Sequence, residues 1–205
     1  MAEKPLRSIA LIFYHGKLLF LRDFDSTGYP LSGFRLPREE TTDFVTLAKT
    51  LMRKYGGEIS LLEELTPHMG AKLFYVKEVT PLLTKRKDAA KFLDYEGLDK
   101  VYVDPYDKKI AKRALAFAAL YLPHKKEEAL SKDERKKAEI LASSLRFFAN
   151  LKLLPMGEVD LYQRYLDKAP DYEDAERAHA YLLEEYRLDM NRYLDALRYS
   201  RKGKA

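Results

Sequence analysis

The chain contains no cysteine and no tryptophan. The first absence excludes a disulfide framework, a cysteine nucleophile and cysteine-ligated zinc or iron–sulfur centres. No apolar run approaches the roughly 18 residues needed to cross a membrane. The opening residues, Met1 to Ser8, lack the apolar core of a secretory signal. The expectation is a cytoplasmic protein without membrane contact. Glycine and proline are scarce, nine of each in 205 residues, so their positions mark boundaries. No charge of one sign dominates either. The 37 basic and 32 acidic side chains leave +5, which permits nucleic-acid binding without requiring it.

What is present divides into two styles. Ser8 to Tyr14 is an apolar run, His15-Gly16 suits a tight turn, and Lys17 to Arg22 resumes as a strand, which predicts a hairpin. Asp23 to Gly33 reads as a loop, and Phe34 to Pro37 as a short extended piece. Thr42 or Asp43 caps a helix in which Phe44, Leu47, Ala48, Leu51 and Tyr55 share one face, and Gly56-Gly57 ends it. Strands are expected near Glu58 to Leu65 and Ala71 to Val79, and a second helix from Lys108 to Leu122. Beyond Pro123 the pattern is helical throughout: Ser131 to about Leu151, with Ser131 and Glu134 spaced as a capping box, then Glu158 to Leu166, then one long helix from Asp171 to Tyr199. This gives an α/β domain over 1–122, a linker over 123–130, and a helical domain over 131–205 with a basic tail.

The order of hairpin, loop, Leu36-Pro37, acidic turn, amphipathic helix and Gly56 resembles the Nudix family over roughly residues 6–122. Gly16 to Arg22 is similar to the family's second strand, and Phe34-Arg35-Leu36-Pro37 to the stretch that leads into its glycine pair. The resemblance implies an α/β/α sandwich. It also implies magnesium- or manganese-dependent hydrolysis of nucleoside diphosphate derivatives. The motif departs from the family's, because Arg38 and Glu39 replace the two glycines. The helix positions matching the family's arginine and glutamates carry Lys49, Thr50, Arg53 and Lys54. Hard divalent cations need oxygen ligands, so a degenerate, noncatalytic Nudix-like domain needing no cofactor is expected.

Two functional constellations follow. Lys49, Arg53 and Lys54, with Arg35, Tyr29 and the basic run Lys85, Arg86 and Lys87, form a candidate surface for a nucleotide or an RNA phosphate, with Tyr29 available for stacking. Alternatively, Glu39, Glu40, Asp43, Glu63 and Glu64 supply relocated metal ligands for a divergent hydrolase using Mg2+ or Mn2+. The acids before the helix also suit its dipole. No two of the four histidines have metal-ligand spacing on one helix, and they read as structural or solvated. On the long C-terminal helix, His179, Leu183, Tyr186, Met190, Tyr193 and Leu197 alternate at four and three. That stripe packs within the helical domain, or else Tyr186, Met190, Tyr193 and Leu197 meet a protein partner or a second copy, which makes an adaptor the third reading.

Overall fold

The computed structural model describes residues 7–80, 88–120, 131–168 and 172–202, apart from the side chains of residues 196, 197 and 200–202. It forms a mixed α/β sheet core flanked by helices, followed by an all-helical extension. The chain divides into two compact units, residues 1–115 and 116–205. The expected linker, 123–130, lies outside the described residues.

In the first unit, β1 (Arg7–Tyr14) and β2 (Lys17–Leu21) form the expected hairpin. His15 and Gly16 adopt φ of 47° and 76°, the left-handed pair that a two-residue hairpin turn demands. The two strands pair only near that turn, through Phe13–Leu18 and Tyr14–Lys17. Farther along, the segment after Gly33 fills the space between them. Leu21 and Arg35 exchange backbone bonds of 2.8 Å, the Ala10 N–H donates to Pro37 O, and β3 (Arg38–Glu39) pairs with Ser8 and Ile9. Arg38 and Glu39 thus extend a strand.

Helix α1 (Phe44–Tyr55) is capped by the Asp43 carboxylate, which accepts from Thr46 N–H, and it ends at Gly56 with φ of 76°. β4 (Glu58–His68) and β5 (Ala71–Thr80) follow, and β5 runs parallel to β1. The sheet order is β4-β5-β1-β2-β6, with β6 (Ala90–Leu93) at one edge. Ala10, Ile12, Leu19, Leu21, Phe74 and Val76 bury against Leu47 and Leu51 of α1. Ile9, Leu11, Leu18 and Phe20, on the other face by alternation, are equally buried, so both faces of the sheet are covered. α2 runs over Pro105–Ala116 and is followed by a 3₁₀ turn at Ala118–Leu120. This corrects the expected helix from Lys108 to Leu122. Asp104 caps the helix by accepting from Tyr106 N–H, and Pro105 takes the first helical position, where its missing donor costs nothing.

The second unit holds α3 (Lys132–Asn150), α4 (Met156–Asp167), α5 (Tyr172–Glu185) and α6 (Met190–Lys202). The Ser131–Glu134 capping box is present. Its core gathers Phe117, Leu145, Phe148, Tyr162, Tyr165, Ala178 and Leu182. The single helix expected from Asp171 to Tyr199 is two helices. Arg187 takes φ of 51°, its N–H donates to Glu184 O, and Leu188 N–H donates to Leu183 O at 2.7 Å. That pair of bonds closes a helix end around a left-handed residue. Asp189 then caps α6 through Asn191 N–H. α3 ends the same way: Lys152 has φ of 56°, and Leu153 N–H donates to Phe148 O. No helix among the described residues is long and apolar enough to cross a membrane.

Candidate functional site

A cavity of about 150 Å³ opens in the first unit beside the end of α1. It is lined by Arg7, Leu21, Arg35, Leu36, Pro37, Arg38, Glu39, Glu40, Lys54 and Tyr55. The segment Arg35 to Glu40 forms one wall because its backbone is stitched to β2 and then to β1. Alternation along it sends Arg35 to the α1 side, where Lys54 and Tyr55 in the last turn of the helix complete the pocket.

Each arginine is braced by a carboxylate. Arg35 is paired with Asp23, whose other oxygen accepts from the Tyr55 hydroxyl at 2.7 Å. Burial and the Asp23 contact push the Tyr55 phenol well above its ordinary range. Arg38 Nη1 lies 2.6 Å from Asp107 Oδ1, and Asp104 Oδ2 lies 3.8 Å from Nη2. The second Asp107 oxygen accepts from Leu36 N–H at 3.1 Å. Asp107 is 0% exposed. Burial pushes its carboxyl up to about 6, with Arg38 opposing the shift and Asp104 adding to it. Arg7 sits 3.5 Å from Glu40 and 5.5 Å from the Tyr106 ring centre. Lys54 is exposed and makes no ion pair among the described residues. Arg35 and Lys54 therefore meet on the α1 side of the lining, whereas Arg38, opposite Ile9 in the ladder, turns to the other face and its guanidinium is taken up by Asp107. A fixed fork and a point charge of this kind suit an oxyanion with several acceptor oxygens.

Of the residues singled out from sequence, the pocket gathers Arg35, Lys54, Glu39 and Glu40. Lys49 and Arg53 are exposed on α1 and do not line it, nor does Tyr29, which stands 73% exposed in its loop. Asp43 is committed to its cap, where hydrogen bonds from Thr46 and Thr41 hold its carboxyl below the usual range. Glu63 and Glu64 stand exposed in mid-β4, with Glu64 3.7 Å from Lys72. Lys85, Arg86 and Lys87 lie outside the described residues. In the second unit, Tyr186 is half-buried in the turn between α5 and α6, and Met190 is half-buried where α6 begins. Tyr193 is 5% exposed and packs on Phe147 and Phe148. The side chain of Leu197 lies outside the described set. Because a turn interrupts the helix, these positions do not form one straight stripe.

Sequence reasoning missed Arg7, Arg38, Asp23, Tyr55 and Asp107. The available signal was Asp104-Pro105, a cap followed by a first-position proline, which places Asp107 in the first turn of α2. As for the divalent metal that the family resemblance implies, the donor set does not fit a protein-held ion. Glu39 and Glu40 are the carboxylates lining the pocket, and among the described residues no group of three His, Asp or Glu side chains is arranged to hold one.

No family model matches the chain, and no curated protein matches it. Among solved structures it is similar to the E. coli ORF135 protein, at 18% identity and TM-score 0.40, covering 58% of this chain and 93% of that one. It is similar to a NUDIX hydrolase from Nitrosomonas europaea, at 13% identity and TM-score 0.41, covering 60% and 77%. A candidate oxidoreductase from Sinorhizobium meliloti gives 13% identity and TM-score 0.41; the match covers 58% of this chain and only 41% of that protein. The chemistry of the pocket rests on this chain's own residues.

Proposed function

We propose that the first unit recognises the phosphate groups of a nucleoside diphosphate or a derivative of one, without hydrolysing it. The observation that carries this reading is the meeting of Arg35 and Lys54 at one cavity whose lining also includes Arg7 and Arg38, with Lys54 making no ion pair among the described residues. The Asp23 brace fixes where the Arg35 guanidinium points, which lowers the ordering cost when an anion enters. At about 150 Å³ the cavity is below the roughly 300–1,000 Å³ of a pocket that engulfs a whole small molecule. It suits the phosphates, with the remainder of the ligand lying over the exposed loops.

A second reading is hydrolysis of the same ligand class, favoured by Glu39 and Glu40 in the same lining. One experiment separates the two. Full-length protein is mixed with ADP, a nucleoside diphosphate sugar and a short RNA, with and without magnesium, while binding and product release are both recorded. Binding without release supports the recognition module. Magnesium-dependent release that disappears in E39Q or E40Q establishes the hydrolase. Preference for the RNA over ADP moves the reading to a nucleic-acid backbone, and absence of binding to all three refutes phosphate recognition and leaves the helical unit's protein contacts as the reading.

A further inference from the structure

A second basic constellation stands on the opposite face of the sheet, and it does not depend on the pocket. Leu19 and Leu21 belong to the core beneath α1, so alternation sends Phe20 and Arg22 to the other side. Lys91 pairs with Phe20 in the β2–β6 ladder, and Arg22 N–H donates to Ala89 O at 2.8 Å. Arg22 and Lys91 therefore project from neighbouring strands on one face. Phe34, 2% exposed, lies against both. Arg22 Cζ is 4.2 Å and Lys91 Nζ is 5.3 Å from its ring centre.

The electrostatics of this arrangement are incomplete. Arg7, Arg35 and Arg38 each have a carboxylate. Neither Arg22 nor Lys91 has one among the described residues, and Arg22 Nε is buried without a hydrogen-bond partner. A ring face attracts a cation, but two cations sharing one ring also repel each other. The ring offers no acceptor to a guanidinium fork. A compact dianion relieves the repulsion and takes up the open donors.

We propose that Arg22 and Lys91 form a binding site for a phosphate monoester dianion. The planar arginine fork takes two oxygens, the lysine ammonium a third, and Phe34 fixes the position of both cations. A monocarboxylate has two oxygens and one charge, so it satisfies the fork alone. The source of the dianion is inorganic phosphate or the terminal group of a nucleoside monophosphate, two ligands with the same chemistry.

NMR of the full-length protein tests this through the Arg22 Nε–Hε resonance. Inorganic phosphate and adenosine monophosphate are titrated separately at constant ionic strength, with chloride as the compensating anion. The expected result is a saturable shift of that resonance with at least one of them, and affinity about tenfold lower in K91Q, as expected for loss of one charge-assisted contact. Lys91 is exposed, so this variant keeps the fold, and an unchanged thermal transition verifies it. Saturation by phosphate alone identifies the free ion, and saturation by both identifies a phosphomonoester site. No shift with either anion, or equal affinity in wild type and K91Q, overturns the proposal.

Discussion

Replacing Asp107 by asparagine makes the buried carboxylate's electrostatics measurable. Asp107 is fully buried, accepts from Leu36 N–H and pairs with Arg38. Its carboxyl is raised from 3.8 to about 6 in the folded chain. In the unfolded chain it titrates near the ordinary value. Between these two values the folded state holds a proton that the unfolded state has released. Folding stability from this group is therefore fully present below about pH 4 and is lost as pH rises through about 6. A shift of roughly two units at about 1.4 kcal/mol each gives a change of about 3 kcal/mol. D107N removes that titration, so the difference in unfolding free energy, wild type minus D107N, falls by about this amount between pH 4 and pH 7. Urea unfolding at half-unit pH intervals measures it, and the Asp107 carboxyl carbon should titrate by NMR with a midpoint near 6. A flat difference refutes dominance of burial, and a difference that rises with pH shows that the Arg38 pair dominates instead.

The helical unit should respond to acid with the opposite sign. Ser144 Oγ donates to Leu141 O and lies 2.6 Å from His179 Nε2, so His179 donates to it, and burial lowers the His179 pKa to about 4. Stability from His179 is present above its unfolded value near 6.5 and is lost as pH falls toward 4. S144A leaves the imidazole N–H unpaired and should cost about 1–3 kcal/mol by urea unfolding at pH 7.5; a smaller loss refutes that hydrogen bond. Arg187→Gly and Lys152→Gly remove side chains from left-handed positions and should each stabilise by about 1 kcal/mol, read as a higher Tm; a lower Tm contradicts the helix-end geometry. Tyr193→Ala should cost about 3 kcal/mol because the ring is buried on Phe147 and Phe148. A Y193A protein of unchanged stability that loses a binding partner would return this residue to an interaction surface.

The first hairpin, α1 and the start of α3 are legible in the sequence because their signals are local. Apolar residues flank a His-Gly turn, Asp43 precedes a helical period, and Ser131 stands three residues before Glu134. The break between α5 and α6 is not marked by glycine or proline. Leu183, Tyr186 and Met190 happen to keep helical spacing across it, while Arg187 takes the left-handed position that usually signals a stop when glycine fills it. β6 is short and carries Lys91 beside Phe92, so its strand character comes from pairing with β2, a contact the local pattern cannot express. The pocket was legible in part. Arg35 and Lys54 stood out as cations and Glu39 and Glu40 as acids. Their common cavity depends on the insertion of 35–39 between β1 and β2, and an acid early in α2 reads as a helix-dipole partner until Asp107 is seen beneath Arg38.

Phosphate recognition by the pocket is tested most directly at Lys54, which makes no ion pair among the described residues. Calorimetric titration of ADP into full-length wild type and Lys54→Glu, at low salt and again at 0.2 M salt, measures both the contact and its electrostatic character. The substitution replaces attraction by repulsion at the cavity mouth and should weaken binding by at least tenfold, equivalent to about 1.4 kcal/mol, with the wild-type affinity falling as salt rises. Equal affinity in the two proteins would contradict the account.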